Sequence, residues 1–264
     1  MTSSQDTRAV VIDVKNLTMG WGPNDILQDH ASFQVMRGDV FVILGGSGCG
    51  KSTLLRHMIG LEEPLAGEIT IAGLGKPRLD AGRPAFGVMF QGGALFGSLT
   101  VGENVALPIE QWTGLPRDAV TAIVRAKLRL VGLSAAEDKL PAEISGGMRK
   151  RAAIARAMAL EPDLIFLDEP SAGLDPVSAV ELDDLILILS RVLGITLVVV
   201  THDLSSIFKI GGTCVMLDRA SKSIIARGNP IALRDTSTDP RVVAFLHRSV
   251  DSLDQDRDAR ETIA

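Results

Sequence analysis

The segment Gly45-Gly46-Ser47-Gly48-Cys49-Gly50-Lys51-Ser52 constrains this chain more than any other. Glycine at 45, 46, 48 and 50 leaves the backbone free to turn its N–H groups inward around an anion. A short apolar run, Val40 to Leu44, precedes the loop, and a stretch that reads as a helix from Lys51 to about Gly60 follows it. Strand, glycine loop and helix start, in that order, make a phosphate cradle. Lys51 is expected to reach β and γ phosphates, and the Ser52 hydroxyl a magnesium ion. The helix N-terminus adds positive potential. Residues 45–53, ending at Thr53, are therefore expected to hold a nucleotide.

A second element completes that chemistry. Leu164-Ile165-Phe166-Leu167 is an apolar run ending in Asp168-Glu169. A buried strand that stops at two acids places them at the carboxyl edge of a sheet, where open α/β sheets bind ligands. Asp168 is expected to hold the metal ion, and Glu169 to polarise an attacking water as general base. A third element, Ile144-Ser145-Gly146-Gly147-Met148, opens a basic helix upstream of the acids. Ser145 with the N–H groups of Gly146 and Gly147 forms another anion site at a helix start.

With these three elements in this order the chain resembles the ABC ATPase family over about residues 10–235. The resemblance extends to Gln91 after the Phe86–Phe90 strand, to Ser171-Ala-Gly-Leu-Asp175 as the D-loop, and to Thr201-His202-Asp203 with its switch histidine. It implies a P-loop NTPase fold of the α/β class. That fold has a mixed, mostly parallel sheet core, an N-terminal antiparallel β subdomain and an inserted helical subdomain. It implies ATP and Mg2+ as ligands and a head-to-tail pair of copies. Each ATP then lies between one copy's phosphate loop and the other's Ser145 signature. By the same resemblance Gln91 senses magnesium and the attacking water, His202 contacts the γ-phosphate, and Asp175 meets the opposite copy. Two departures stand out. Family members usually offer an aromatic residue, often tyrosine, to adenine from the first strand; here Met19 and Trp21 lie near that place. Ile144 and Met148 replace the usual leucine and glutamine of the signature.

Along the chain, Val10–Val14, Phe33–Val35, Glu68–Ile71 and Thr196–Val200 read as further strands, and Cys214–Leu217 with Ser223–Ala226 as a late hairpin. Thr100 and Glu103 have capping-box spacing, and Pro116 opens a helix stopped by Gly132. The reading is one ABC domain over 8–246, with its helical subdomain at about 92–160 and a polar tail over 247–264.

Composition sets outer limits. A net charge of −5 offers no basic face for nucleic acid, and two cysteines are too few for a disulfide framework. The most apolar stretch, Leu185 to Val200, is shorter than the roughly 20 residues of a membrane span and contains Arg191 and Gly194. It reads as a helix end followed by a buried strand. The first twenty residues lack a secretory signal's apolar core.

Finer matches concern the subgroup. Phe90-Gln91-Gly-Gly-Ala94-Leu95-Phe96, Glu103-Asn104-Val105, the Ile-Ser-Gly-Gly-Met signature and Asp239-Pro-Arg241-Val-Val-Ala-Phe245-Leu246 are similar to ATPases of Mla or MCE-type phospholipid transporters. That similarity implies an integral membrane permease, an MCE-domain lipid-binding protein and a small STAS-domain subunit as partners. It also implies a position at the cytoplasmic face of an inner membrane. Ala94, Leu95 and Phe96 then either line a groove for a permease helix or pack the insert. An importer of another cargo, such as an amino acid, and a soluble ABC ATPase are the alternatives. The 54-residue step from Gln91 to Ser145 leaves no room for the long coiled coil of a chromosome or repair ATPase.

Overall fold

A computed structural model describes residues 9–22, 24–78 and 82–247. Among them the chain forms two sheets. Strands β1 (Val10–Gly22), β2 (Asp25–Met36) and β4 (Ala66–Ile71) make an antiparallel sheet in the order β2-β1-β4. Strands β3 (Val40–Gly45), β5 (Gly87–Met89), β6 (Leu164–Asp168), β7 (Thr196–Val200), β8 (Thr213–Asp218) and β9 (Ser223–Gly228) make the second, ordered β5-β6-β7-β3-β8-β9. The second sheet is parallel until its last strand, where β8 and β9 close an antiparallel hairpin.

The uninterrupted apolar runs have a simple cause: this sheet is covered on both faces. Val42, Leu44, Ile165, Leu167, Leu197 and Val199 enter one apolar cluster, which the helices cover. Their strand neighbours Phe41, Ile43, Leu164, Phe166, Val198 and Val200 enter the other, shared with the antiparallel sheet and with α1 (Lys51–Met58). On the helical side lie α2 (Val101–Trp112), α3 (Arg117–Leu130), α4 (Gly146–Ala157), α5 (Pro176–Arg191) and α6 (Leu204–Ile210). Two short helices, α7 (Pro230–Thr236) and α8 (Pro240–Leu246), end the described chain. The tail expected over 247–264 lies outside the described residues from 248 onward.

The local signals that predict helix starts operate as expected. Thr100 Oγ1 accepts from the Glu103 N–H at 3.1 Å, and Glu103 Oε2 accepts from the Thr100 N–H at 2.7 Å, closing the capping box of α2. The apolar stretch from Leu185 divides into the end of α5 and the buried β7. Among the described residues no helix is long and apolar enough to cross a membrane. The first two strands run further than the short apolar segments suggest. Asn16 (φ 47°) and His30 (φ 51°) adopt left-handed backbone inside β1 and β2, and the pairing register shifts nearby. Such bulges reset which side chains face inward, so simple alternation is lost while the strand continues.

One buried carboxyl makes the fold sensitive to pH. Asp183 on α5 is 2% exposed; its Oδ2 accepts from the Ser206 hydroxyl of α6 at 3.0 Å, and its Oδ1 has no partner. Burial pushes its pKa up to about 6, against the Ser206 hydrogen bond and the Lys209 charge. The folded state then binds a proton more tightly than the unfolded chain does. Stability is fullest below the unfolded carboxyl's pKa and falls as pH rises to about 6. Replacement of Asp183 by Asn is expected to raise stability at pH 7.5 by about 2 kcal/mol and to change it little at pH 4. Thermal unfolding of both proteins at the two pH values checks this. An equal gain at both would show that ionisation is not the cause.

Candidate nucleotide site

The registers of three strands bring the predicted residues together. Ile43 of β3 pairs with Val200 of β7, and Val200 pairs with Asp168 of β6, so the three strands end in one row. Glu169 follows that row directly, while Gly45, the last residue of β3, and His202 each lie two residues beyond it. They converge on a cavity of about 600 Å³. Its wall includes Gly45, Gly46, Ser47, Gly48, Gly50, Lys51, Ser52 and Thr53, with Gln91, Glu169 and His202 opposite.

The loop's glycines at 45 and 50 are required by shape. Gly45 has φ 143°, and a Cβ there would lie 2.4 Å from the Leu217 carbonyl oxygen. Gly50 has φ 97° and forms the N-cap of α1, with the Met19 side chain close beneath it. Lys51 Nζ donates to the Gly45 and Gly46 carbonyl oxygens at 2.9 and 3.1 Å, which holds the ammonium over the loop. Cys49 is the exception among residues 45–53. Its side chain is 1% exposed and packs in the core, so the loop offers its backbone there and not its thiol. Burial pushes the Cys49 thiol pKa up.

Two hydrogen bonds join the loop to the acids and the acids to the histidine. The Ser52 hydroxyl donates to Asp168 Oδ1 at 3.0 Å. His202 Nδ1 donates to Glu169 Oε1 at 2.8 Å. Glu169 itself sits at φ 48°, with its N–H bonded to the Val200 carbonyl oxygen at 2.8 Å. A left-handed non-glycine residue costs about 1 kcal/mol or more, and such strain clusters at functional sites. Here it turns the carboxylate out of the strand's alternation and toward His202. Burial raises the Asp168 pKa, and the Ser52 hydrogen bond opposes that rise.

Ser52 and Asp168 together suit a hard divalent cation. A hydroxyl and a carboxylate supply oxygen donors, and among the described residues no group of three His, Cys, Asp or Glu side chains is placed to hold a metal. Magnesium sites of this kind take one or two protein oxygens and fill the rest with phosphate and water.

Ser145, Gly146, Gly147 and Asp175 do not line this cavity. Ser145 Oγ caps α4 by accepting from the Met148 N–H at 3.2 Å. Asp175 Oδ1 caps α5 through the Val177 and Ser178 N–H groups at 3.1 and 3.0 Å, and the Ser178 hydroxyl holds its carboxyl pKa below the usual range. The two segments adjoin each other, however. Gly146 lies against Leu174, and Gly147 lies so close to Ser178 that a Cβ would approach its side chain to 3.2 Å. Among the described residues the cavity at the glycine loop and the patch around Ser145 and Asp175 are thus separate.

For adenine, Met19 is ruled out, because it is fully buried under the loop. Trp21 is 62% exposed at the end of β1. Four further residues were not read as part of the site from sequence, although Phe245 belongs to a motif quoted for the subgroup. Leu204 and Phe245 line the cavity from α6 and α8. Gln28, fully buried on β2, donates through Nε2 to the carbonyl oxygens of Cys49 and Asp218 at 3.0 and 3.1 Å, tying the loop to β8. Lys150 of α4 donates to the carbonyl oxygens of Gln91 and Glu169. Gln28 and Lys150 carry no local signal, since each acts through a partner distant in sequence.

Comparison with known proteins agrees with this geometry. The ABC transporter family profile matches residues 28–172. An Escherichia coli protein, the intermembrane phospholipid transport system ATP-binding protein MlaF, is 42% identical, with 90% of this chain and 89% of that protein covered. A Mycobacterium leprae protein named as a probable ribonucleotide transport ATP-binding protein is 41% identical over 90% of this chain and 69% of its own. A solved ATP-binding cassette, described as a dimer in a post-hydrolysis state with ADP and Pi, superposes with a TM-score of 0.73 at 28% identity, covering 83% of this chain and 98% of that one. A strand-ending phosphate loop, a buried acidic pair across the same sheet edge and relatives matched along nine-tenths of the length leave one assignment: this chain belongs to the ABC transporter family, as an ATP-binding and ATP-hydrolysing subunit.

Proposed function

We propose that the chain drives phospholipid transport between inner and outer membranes, working as a head-to-tail pair on the cytoplasmic side of a membrane permease. The observation that carries the hydrolytic part is that Ser52, backed by its bond to Asp168, and the bonded pair Glu169–His202 line one cavity. The cargo rests on the phospholipid-transport relative matched along nearly the whole chain.

In this reading the N–H groups of the loop and the Lys51 ammonium bind the phosphates. Ser52 and Asp168, with the Gln91 side chain, hold the magnesium ion, which when bound neutralises charge on the phosphates. Glu169 takes the proton of the attacking water, and His202 fixes the carboxylate and faces the γ-phosphate. Ser145, Gly146, Gly147 and Asp175 serve the other copy's nucleotide. Their separation from the phosphate cavity of their own chain supports a site shared between two copies.

An apolar groove of about 490 Å³ supports a permease contact. Leu61, Phe90, Phe96, Leu107 and Trp112 line it. Asn104 is fully buried and grips Phe96 from both sides, accepting from its N–H at 2.8 Å and donating to its carbonyl oxygen at 3.1 Å. That leaves the Phe96 ring 53% exposed in the groove, while Leu95 packs inward on the core. Such a surface suits a short amphipathic helix.

Purification of the tagged full-length chain from membranes tests the proposal. The expected companions are a permease, an MCE-domain protein, a small STAS-domain protein and bound phospholipid. Phe96→Asp is expected to lose all of them while still binding ATP. Companions carrying a nucleotide or amino-acid cargo and no lipid would replace the cargo assignment.

A further inference from the structure

We infer that Lys150 is the positioning residue of the catalytic centre: it bonds the backbones of Gln91 and Glu169 at once and so sets the Glu169 carboxylate relative to the attacking water. The inference rests on Glu169 acting as general base.

Lys150 lies on α4, one turn inside the helix that Ser145 opens, and is 8% exposed. A buried ammonium is costly and is retained where its hydrogen bonds do something specific. Its Nζ donates to the Gln91 carbonyl oxygen, two residues past β5, and to the Glu169 carbonyl oxygen, one residue past β6, at 3.2 Å. Those two carbonyls follow different strands, and the residues bearing them both line the nucleotide cavity. Burial lowers the Lys150 pKa, while the Glu169 and Asp168 charges raise it, so the ammonium also feels the two acids through space.

The restraint on Glu169 matters because its backbone is strained. At φ 48° the residue has few ways to relax in place, and its N–H is already committed to Val200. At the carbonyl end Lys150 joins the Ala172 N–H, which also donates to the Glu169 carbonyl oxygen at 3.2 Å, and Lys150 alone ties that end to Gln91. His202 then has a carboxylate at a defined distance to meet. A second cation of the same helix completes the grip on the Gln91 side. Arg156 donates to the Gly93 and Ala94 carbonyl oxygens at 3.1 and 2.6 Å. Gly93 (φ 74°) and Ala94 (φ 49°) form a tight left-handed pair there. Within one chain α4 therefore holds residues 91, 93 and 94 and the catalytic carboxylate's backbone as a unit.

A residue kept only for stability would behave differently. Replacing the lysine leaves two carbonyls short of a donor, so some stability is lost in either case and the diagnostic is the rate of the folded protein. Lys150→Met is therefore expected to unfold at a lower temperature than the wild type but to stay folded at the assay temperature, and to lower kcat on the order of 10²-fold, as small misplacements of catalytic groups do. Its affinity for ATP, measured by direct binding, is expected to stay within about twofold of wild type, because the phosphate loop is untouched. Lys150→Arg keeps the charge and two donors and is expected to recover part of kcat.

The measurement uses purified full-length chain, with kcat, ATP affinity and thermal unfolding taken on each variant. Should Lys150→Met fail to fold, Lys150→Gln, which keeps a donor for one carbonyl, is expected to give the same split between kcat and binding. Wild-type kcat in Lys150→Met, or parallel loss of ATP affinity and stability in all three variants, overturns the inference. Glu169→Gln run alongside separates the two readings. An inactive Glu169→Gln with a fully active Lys150→Met rejects the positioning role alone, while an active Glu169→Gln rejects the general base on which it rests.

Discussion

Glu169→Gln is expected to bind ATP as tightly as the wild type and to hydrolyse it about 10²–10⁴ times more slowly, the range that a general base supplies. The amide keeps the shape of the side chain and can still meet His202, but it has no lone pair basic enough to take the water's proton. Loss should therefore fall on kcat and spare the ground state. If two copies clasp the nucleotide, the variant also accumulates as an ATP-bound dimer, visible by size-exclusion chromatography with and without nucleotide. Undiminished turnover would remove Glu169 from this role and transfer the question to His202, its hydrogen-bond partner at 2.8 Å.

Lys51→Ala is expected to fail one step earlier, at binding. The ammonium bridges the Gly45 and Gly46 carbonyl oxygens and faces the cavity. A charged hydrogen bond contributes about 1.5–3 kcal/mol, which corresponds to a rise in ATP Kd of about 10- to 100-fold. Removal also leaves the Gly45 and Gly46 carbonyl oxygens without the Lys51 donor. Titration of the variant with a fluorescent ATP analogue reads the effect directly. Normal affinity would mean that the loop's N–H groups do the binding without the lysine. The pair of variants is informative together, because one loses affinity and the other loses only rate.

How much of this was legible beforehand follows from how local each signal is. The phosphate loop, the Asp168-Glu169 pair and the cap at Thr100 each depend on neighbours a few residues apart, so the chain displays them in order. The buried strands were equally plain, since β3, β6 and β7 are apolar throughout. The extent of β1 was not, because Asn16 breaks its alternation and the strand resumes in another phase. The short helices α6, α7 and α8 were passed over, although Asp203, Asn229 and Asp239 cap them and Pro230 and Pro240 open two of them. Seven-residue helices leave too little periodicity to read. Lys150 and Gln28 were invisible for a different reason. One reaches a carbonyl 59 residues away and the other a carbonyl 190 residues away, and nothing in their own neighbourhoods marks them. That Met19 is buried was also not legible, because burial depends on what lies above a strand, and here that is Gly50.

The alignment of Ile43, Val200 and Asp168 in one row has an evolutionary corollary. Deleting a single residue inside any of these three strands would displace its end by about 3.3 Å and exchange its two faces. The carboxylate, the histidine or the loop would then miss the others. Length changes in this lineage should accumulate in the connecting segments, while the strands act as a common ruler that drift cannot rescale.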